Sequence, residues 1–207
     1  ISQTEIQNLM ALHQRGLDDD LINKATSLVR EDPEEIILFY LLGISFERKG
    51  SLKNAAEAYK SALKINPNIP EMNFNLGAIL FSENKVEEAI KFYEKSIQLN
   101  NSFPEAHFNL GIAFQSVGRF DDAIQCYQKA IQIQPGFFEA ITNMGTIKQL
   151  QGHLDEAADF FKKSLSIRED GRGHYNLANV LRNQGNLSTS ISHYRKAIEL
   201  GSGEAEF

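Results

Sequence analysis

The sequence predicts an all-α fold, a right-handed solenoid of stacked helix-turn-helix hairpins. Three observations carry that reading. Gly43, Gly77, Gly111 and Gly145 stand 34 residues apart. Each sits in the same word: Leu42, Leu76, Leu110 or Met144 just before it, Ala55, Ala89, Ala123 or Ala157 twelve residues on, and Tyr59, Tyr93, Tyr127 or Phe161 sixteen on. The apolar residues between recur at helical spacing. A unit this short cannot bury its own apolar face, so a fixed period of this kind demands stacked neighbours.

Each unit reads as two short amphipathic helices. In the first, Leu76, Gly77 and Leu80 share a stripe with Asn73. In the second, Val86 to Leu99, the stripe is Ala89, Tyr93, Ser96 and Ile97. Gly16, Gly50, Gly118, Gly152 and Gly185 mark the turn between them, because glycine accepts the left-handed conformation that stops a helix. Asp121, Asp155 and Asn186 are expected to cap the helices that follow. Pro33, Pro67 and Pro135 close second helices, and Pro70 and Pro104 open first ones, where a missing N–H costs nothing. Gly at the crossing and Ala twelve residues on let two backbones approach, and the aromatic fills the remaining space.

Six units follow from this. They are 2–35 (degenerate, with Leu9 at the glycine place), 36–69, 70–103, 104–137, 138–170 and 171–202, forming one array over 1–207. The sixth carries Ala178, Ser190 and Tyr194 at the three key places. From Gly145 to Ala178 is 33 residues, one short, and the deletion by Gly171-Arg172-Gly173 predicts a local change of twist. Glu204-Ala205-Glu206-Phe207 repeats the opening Glu105-Ala106-His107-Phe108, so 203–207 reads as the start of a seventh unit and the chain as a fragment of a longer protein.

Composition narrows the function classes. The net charge of −6, with no cluster of Lys and Arg, argues against nucleic acid, which needs such clusters to displace counterions. The longest apolar run, Ile36 to Ile44, is too short for membrane insertion, which takes about 20 residues. A single cysteine, Cys126, fits a reducing compartment. With no visible leader, a cytoplasmic location is the expectation.

The period and its word resemble the tetratricopeptide repeat, over nearly the whole chain. The family's frequent Trp, four residues before the glycine, is here Phe39, Asn73, His107, Ile141 and His174. The resemblance implies a concave groove lined by one stripe of each first helix and used to hold a protein or peptide. The residues three before the glycine are Tyr40, Phe74, Phe108, Thr142 and Tyr175. Those two before it are Leu41, Asn75, Asn109, Asn143 and Asn176. Those just after it are Ile44, Ala78, Ile112, Thr146 and Asn179.

Asn75, Asn109, Asn143 and Asn176 form a ladder in register. An amide offers both donors and an acceptor, which suits the backbone of an extended peptide. The other reading is that each Asn bonds neighbouring backbone or water. The ladder resembles that in the repeat arm of O-linked N-acetylglucosamine transferase, where concave asparagines hold substrates by their backbone; the first two units hold Gln7 and Leu41 instead. The carboxylate clamp of chaperone-binding repeats is missing: its places hold Tyr40 and Ile44, Phe74 and Ala78, Phe108 and Ile112, with Asn179 isolated.

No catalytic residues, metal ligands or cofactors are expected. His13, His107, His153, His174 and His193 lie far apart in sequence, with His107 and His174 read as packing residues. Asp18-Asp19-Asp20 begins a second helix, where carboxylates favour the positive end. Cys126 has no His partner in sequence, and the stripe Tyr59, Tyr93, Tyr127, Phe161 and Tyr194 is read as core. The expectation is a peptide-binding scaffold whose contacts are Tyr40, Phe74, Asn75, Phe108, Asn109, Asn143, Tyr175, Asn176 and Asn179. Two alternatives remain: a substrate-recruiting arm of a larger enzyme, such as a glycosyltransferase, with its catalytic domain beyond Phe207, and end-to-end self-association through exposed ends.

Overall fold

The computed structural model describes residues 1–201. Among them are twelve α-helices in six hairpins: α1 (Gln3–Gln14) with α2 (Asp18–Glu31), α3 (Ile36–Arg48) with α4 (Leu52–Ile65), α5 (Pro70–Ser82) with α6 (Val86–Leu99), α7 (Pro104–Ser116) with α8 (Phe120–Ile133), α9 (Phe138–Leu150) with α10 (Leu154–Ile167), and α11 (Gly171–Asn183) with α12 (Leu187–Glu199). They gather into two compact units, Ile1–Asn101 and a second beginning at Ser102. Within each, second helices pack on the first helix of the next hairpin: α2 on α3 and α4 on α5, then α8 on α9 and α10 on α11. The expected seventh unit at 203–207 lies outside the described residues.

Every hairpin turns through the same backbone device. Gly16, Gly50, Gly118, Gly152 and Gly185 take positive φ, and in the third hairpin Asn84 does so at 61°. The N–H of the following residue then reaches back to a carbonyl of the last turn: Ser51 to Phe46 (2.8 Å), Lys85 to Leu80 (2.9 Å), Arg119 to Phe114 (2.9 Å). This is a Schellman closure, which satisfies orphan carbonyls without side chains. The starts of the second helices require a correction. Asp121 and Asp155 are not caps; Arg119 and His153 hold those positions, and the two aspartates lie in the first helical turn. Asn186 is at the cap position but makes no side-chain cap bond. Carboxylates in the first turn act instead on the helix dipole.

The glycine–aromatic word is a packing unit. A Cβ on Gly111 would stand 2.6 Å from Tyr127 Cε1, one on Gly77 2.9 Å from Tyr93, and one on Gly145 2.8 Å from Phe161. Those rings, with Tyr59, are fully buried. Tyr194 departs from the expectation and is only half-buried. On the same helix Leu187, Ile191 and Ile198 are exposed, whereas Ile90 and Ala158, the counterparts of Ile191, are buried. The next first helix covers α10 at that face, and no described helix follows α12.

The one-residue deletion falls in the linker between α10 and α11, which is Arg168 to Asp170. Asp170 there accepts the Gly173 N–H at 2.6 Å, and Gly173 packs so close to Leu165 that a Cβ would meet its Cδ2 at 2.7 Å. Asn73, at the family's Trp place, is 3% exposed and donates to the carbonyls of Pro67 (3.1 Å) and Ile69 (2.8 Å), tying down its own linker.

Ser96 is buried with no partner for its hydroxyl. In register with it stand Ala62, Ala130 and Ser164, the last bonded to Thr142 Oγ1 at 2.6 Å. Ser96→Ala removes a desolvated hydroxyl and is expected to stabilise the first unit by about 1 kcal/mol. A raised urea midpoint checks this; a lowered one contradicts it.

Candidate peptide-binding surfaces

All nine residues expected to line the groove are half-buried and lie on first helices. Tyr40, Phe74 and Asn75 belong to the first unit. Phe108, Asn109, Asn143, Tyr175, Asn176 and Asn179 belong to the second. Leu41 does not line a surface, being 1% exposed in the core with Leu9, Leu38 and Leu42. The Asn register therefore begins with Asn75 because its predecessor place is a core position.

Asn75 and Asn143 bond core tyrosine hydroxyls, partners that neither reading named. Asn75 Nδ2 donates to the Tyr59 hydroxyl at 3.2 Å, which in turn donates to Glu47 Oε2 at 3.2 Å. In the second unit Asn143 Nδ2 donates to the Tyr127 hydroxyl at 3.2 Å, and that hydroxyl donates to Gln115 Oε1 at 2.8 Å. Each bond takes one amide N–H and aims the group. The second N–H and the carbonyl oxygen are not used in these bonds, and they are what a peptide backbone requires. Phe161 has no hydroxyl to offer Asn176, so that rung lacks this anchor. Asn179 is tied differently, its Oδ1 accepting the Tyr194 hydroxyl at 2.6 Å.

Burial sets the electrostatics of these relays. It pushes the Tyr59 and Tyr127 phenols far above their ordinary range, so both remain hydroxyls at neutral pH. Burial also raises the Glu47 carboxyl, against the lowering effect of the Tyr59 hydrogen bond.

Each unit has a cleft at these helices. In the second, Phe108, Ile112, Phe138, Thr142 and Asn143 line a space of about 240 Å³, closed at one side by Asp170 and Arg172. In the first, a shallower cleft of about 590 Å³ surrounds Tyr40. An apolar floor with a few directional polar groups is what a peptide site needs.

The structure also joins two histidines that the sequence separates. His174 Nδ1 and His193 Nδ1 meet at 2.8 Å, and His174 Nε2 lies 3.3 Å from Glu169 Oε1, itself 3.9 Å from Lys196 Nζ. In the tautomer with its proton on Nε2, facing the carboxylate, His174 would accept the N–H of His193 at Nδ1. The legible signal was register: His174 stands four residues before the glycine place and His193 one before the aromatic. Burial, reinforced by His174 and Lys162, lowers the His193 pKa. A histidine depressed in the folded state contributes stability that is complete above its unfolded value and is lost as pH falls through it. Acidification from about pH 7.5 to about pH 5.5 is therefore expected to lower the melting temperature more in the native chain than in His193→Gln. Equal losses would remove His193 from the account.

The remaining candidates are structural. Asp18 pairs with Arg48 at 2.6 Å, Asp19 pairs with Lys49, and Arg48 also reaches His13 Nδ1 at 2.9 Å. His107 is 7% exposed, and His153 lies 3.3 Å from Glu156. Among the described residues no three His, Cys, Asp or Glu converge on a metal position, and no helix is long and apolar enough to cross a membrane.

Stacked hairpins, four of them crossed by a glycine against a buried aromatic, define a helical-repeat protein. The chain belongs to the tetratricopeptide repeat family: models described as tetratricopeptide or TPR repeats match residues 43–82, 77–118, 104–137, 139–172 and 171–200. Among solved structures it is similar to MamA, with 29% identity over 77% of this chain and 93% of that one and a TM-score of 0.73. It shares its fold with PilW, a widely conserved type IV pilus biogenesis factor (20% identity, 100% and 97% covered, TM-score 0.83). The same holds for YrrB, described as a TPR protein with an unusual peptide-binding site (19% identity, 87% and 93% covered, TM-score 0.71). A search of curated proteins finds no match.

Proposed function

We propose that the chain is a protein-interaction scaffold that holds extended peptide segments along the exposed stripes of its first helices, and that it has no catalytic groups of its own. The observation that carries this is the aimed amide. Asn75 and Asn143 are each fixed by a core tyrosine hydroxyl, beside clefts with apolar floors. Fixing the amide beforehand lowers the ordering cost of binding. The fold that the chain shares with YrrB is compatible with such a role. Selection from a displayed library of linear peptides tests it. Binders to the native chain should lose affinity at least tenfold when Asn75, Asn109 and Asn143 become Ala.

A second reading, end-to-end association, is favoured by the exposed Leu187, Ile191 and Ile198 on α12. An apolar stripe of that kind is a docking face. Apparent mass that falls on dilution would support it, and a mass independent of concentration would count against it.

A further inference from the structure

The two clefts differ in charge. In the second unit Asp170 and Glu139 are balanced in part by Arg172. In the first, Ile37, Tyr40, Ile69 and Met72 form an apolar floor, and the charged residues on its rim are Glu35 and Glu71. Glu35 is the N-cap residue just before α3, and Glu71 lies in the first turn of α5. Tyr40 registers the same field. Its phenol is held above the usual range first by burial, then by Glu71 and Glu47, with no cation among the groups acting on it.

We infer that the first-unit cleft selects a peptide segment with an aliphatic or aromatic anchor flanked by lysine or arginine. The anchor enters between Ile37, Ile69 and Met72. The flanking cations pair with Glu35 and Glu71, and one lies against the Tyr40 ring, where a cation is attracted to the π face. Charge at a rim sets partner choice more than raw affinity, so the signature is a preference between peptides. This deepens the peptide-scaffold reading and rests on it.

The test uses the whole chain and two fluorescent probes that differ only in charge, Gly-Ser-Lys-Leu-Arg-Ser-Gly and Gly-Ser-Glu-Leu-Glu-Ser-Gly, with blocked ends. Anisotropy should show the basic probe binding at least tenfold tighter than the acidic one. The doubly substituted Glu35→Gln, Glu71→Gln chain, checked for unchanged helicity, should bring the two within about threefold. Raising salt from about 0.05 to about 0.5 M should shrink the preference in the native chain alone. Equal binding of both probes, or a preference that survives the double substitution, overturns the inference. If the probes bind equally and Asn75→Ala still weakens both, the scaffold reading stands without the charge preference. If neither probe binds and library selection also yields nothing, both readings fall.

Discussion

Tyr127→Ala is expected to destabilise the second unit by about 3–5 kcal/mol, the range for emptying a large aromatic site in a packed interior. The ring is fully buried and fills the space that the missing side chain of Gly111 leaves open. It also lies 5.8 Å, centroid to centroid, from Phe108. Removing the ring leaves a void that helices on both sides cannot close without losing register. Two companions separate its contributions. Tyr127→Phe keeps the ring and loses the hydroxyl bonds to Asn143 and Gln115, both half-buried, so it should cost only about 1 kcal/mol. Tyr194→Ala removes a half-buried ring on α12 and should cost well under half of the Tyr127→Ala loss. Urea unfolding followed by helicity measures all three. Equal losses at Tyr127 and Tyr194 would mean that stacking by the following hairpin does not set the value of the aromatic.

Alanine at Asn75, Asn109 and Asn143 together should weaken peptide binding at least tenfold while the helices persist. A backbone contact is worth about 0.5–1.5 kcal/mol, and each 1.4 kcal/mol is a factor of ten. The same substitutions also remove the donors to Tyr59 and Tyr127. The paired Tyr59→Phe, Tyr127→Phe chain controls for that, since it releases the two anchored amides without deleting them. It should weaken binding only about threefold, the ordering cost of side chains no longer fixed in place. If the Phe pair loses as much as the Ala triple, the asparagines act through the core and not on the peptide.

Much of the fold was legible because each turn of the chain repeats the same physical problem. The glycine marks where a ring crosses, and proline marks where a helix starts or stops, so helix limits fall where the word places them. The turn of the third hairpin has no glycine, yet Asn84 adopts the same left-handed conformation, which asparagine tolerates better than other side chains. Asp121 and Asp155 misled because cap preference is a local signal, and the tight turns start α8 and α10 one residue before the aspartates, with Arg119 and His153 at the cap positions. Leu41 misled for the opposite reason: register places it on the groove stripe, but the degenerate first unit leaves it against Leu9 and Leu38.

The site was legible in part. Register alone picked out Asn75 and Asn143. The bonds that orient them come from tyrosines sixteen residues earlier, on the preceding second helix, and only packing brings those groups together. The contact between His174 and His193 has the same origin. The acidic rim at Tyr40 drew no notice because Glu35 and Glu71 are ordinary surface residues until two helix starts set them around one apolar floor.

The most direct test of the central claim is to follow the side-chain amide resonances of the chain while a library-selected peptide is added. The account predicts that Asn109, Asn143 and Asn176 of the second unit shift and saturate with the same affinity, while buried Asn73, committed to its linker carbonyls, stays in place. Shifts confined to the second helices, with the ladder amides unmoved, would contradict it.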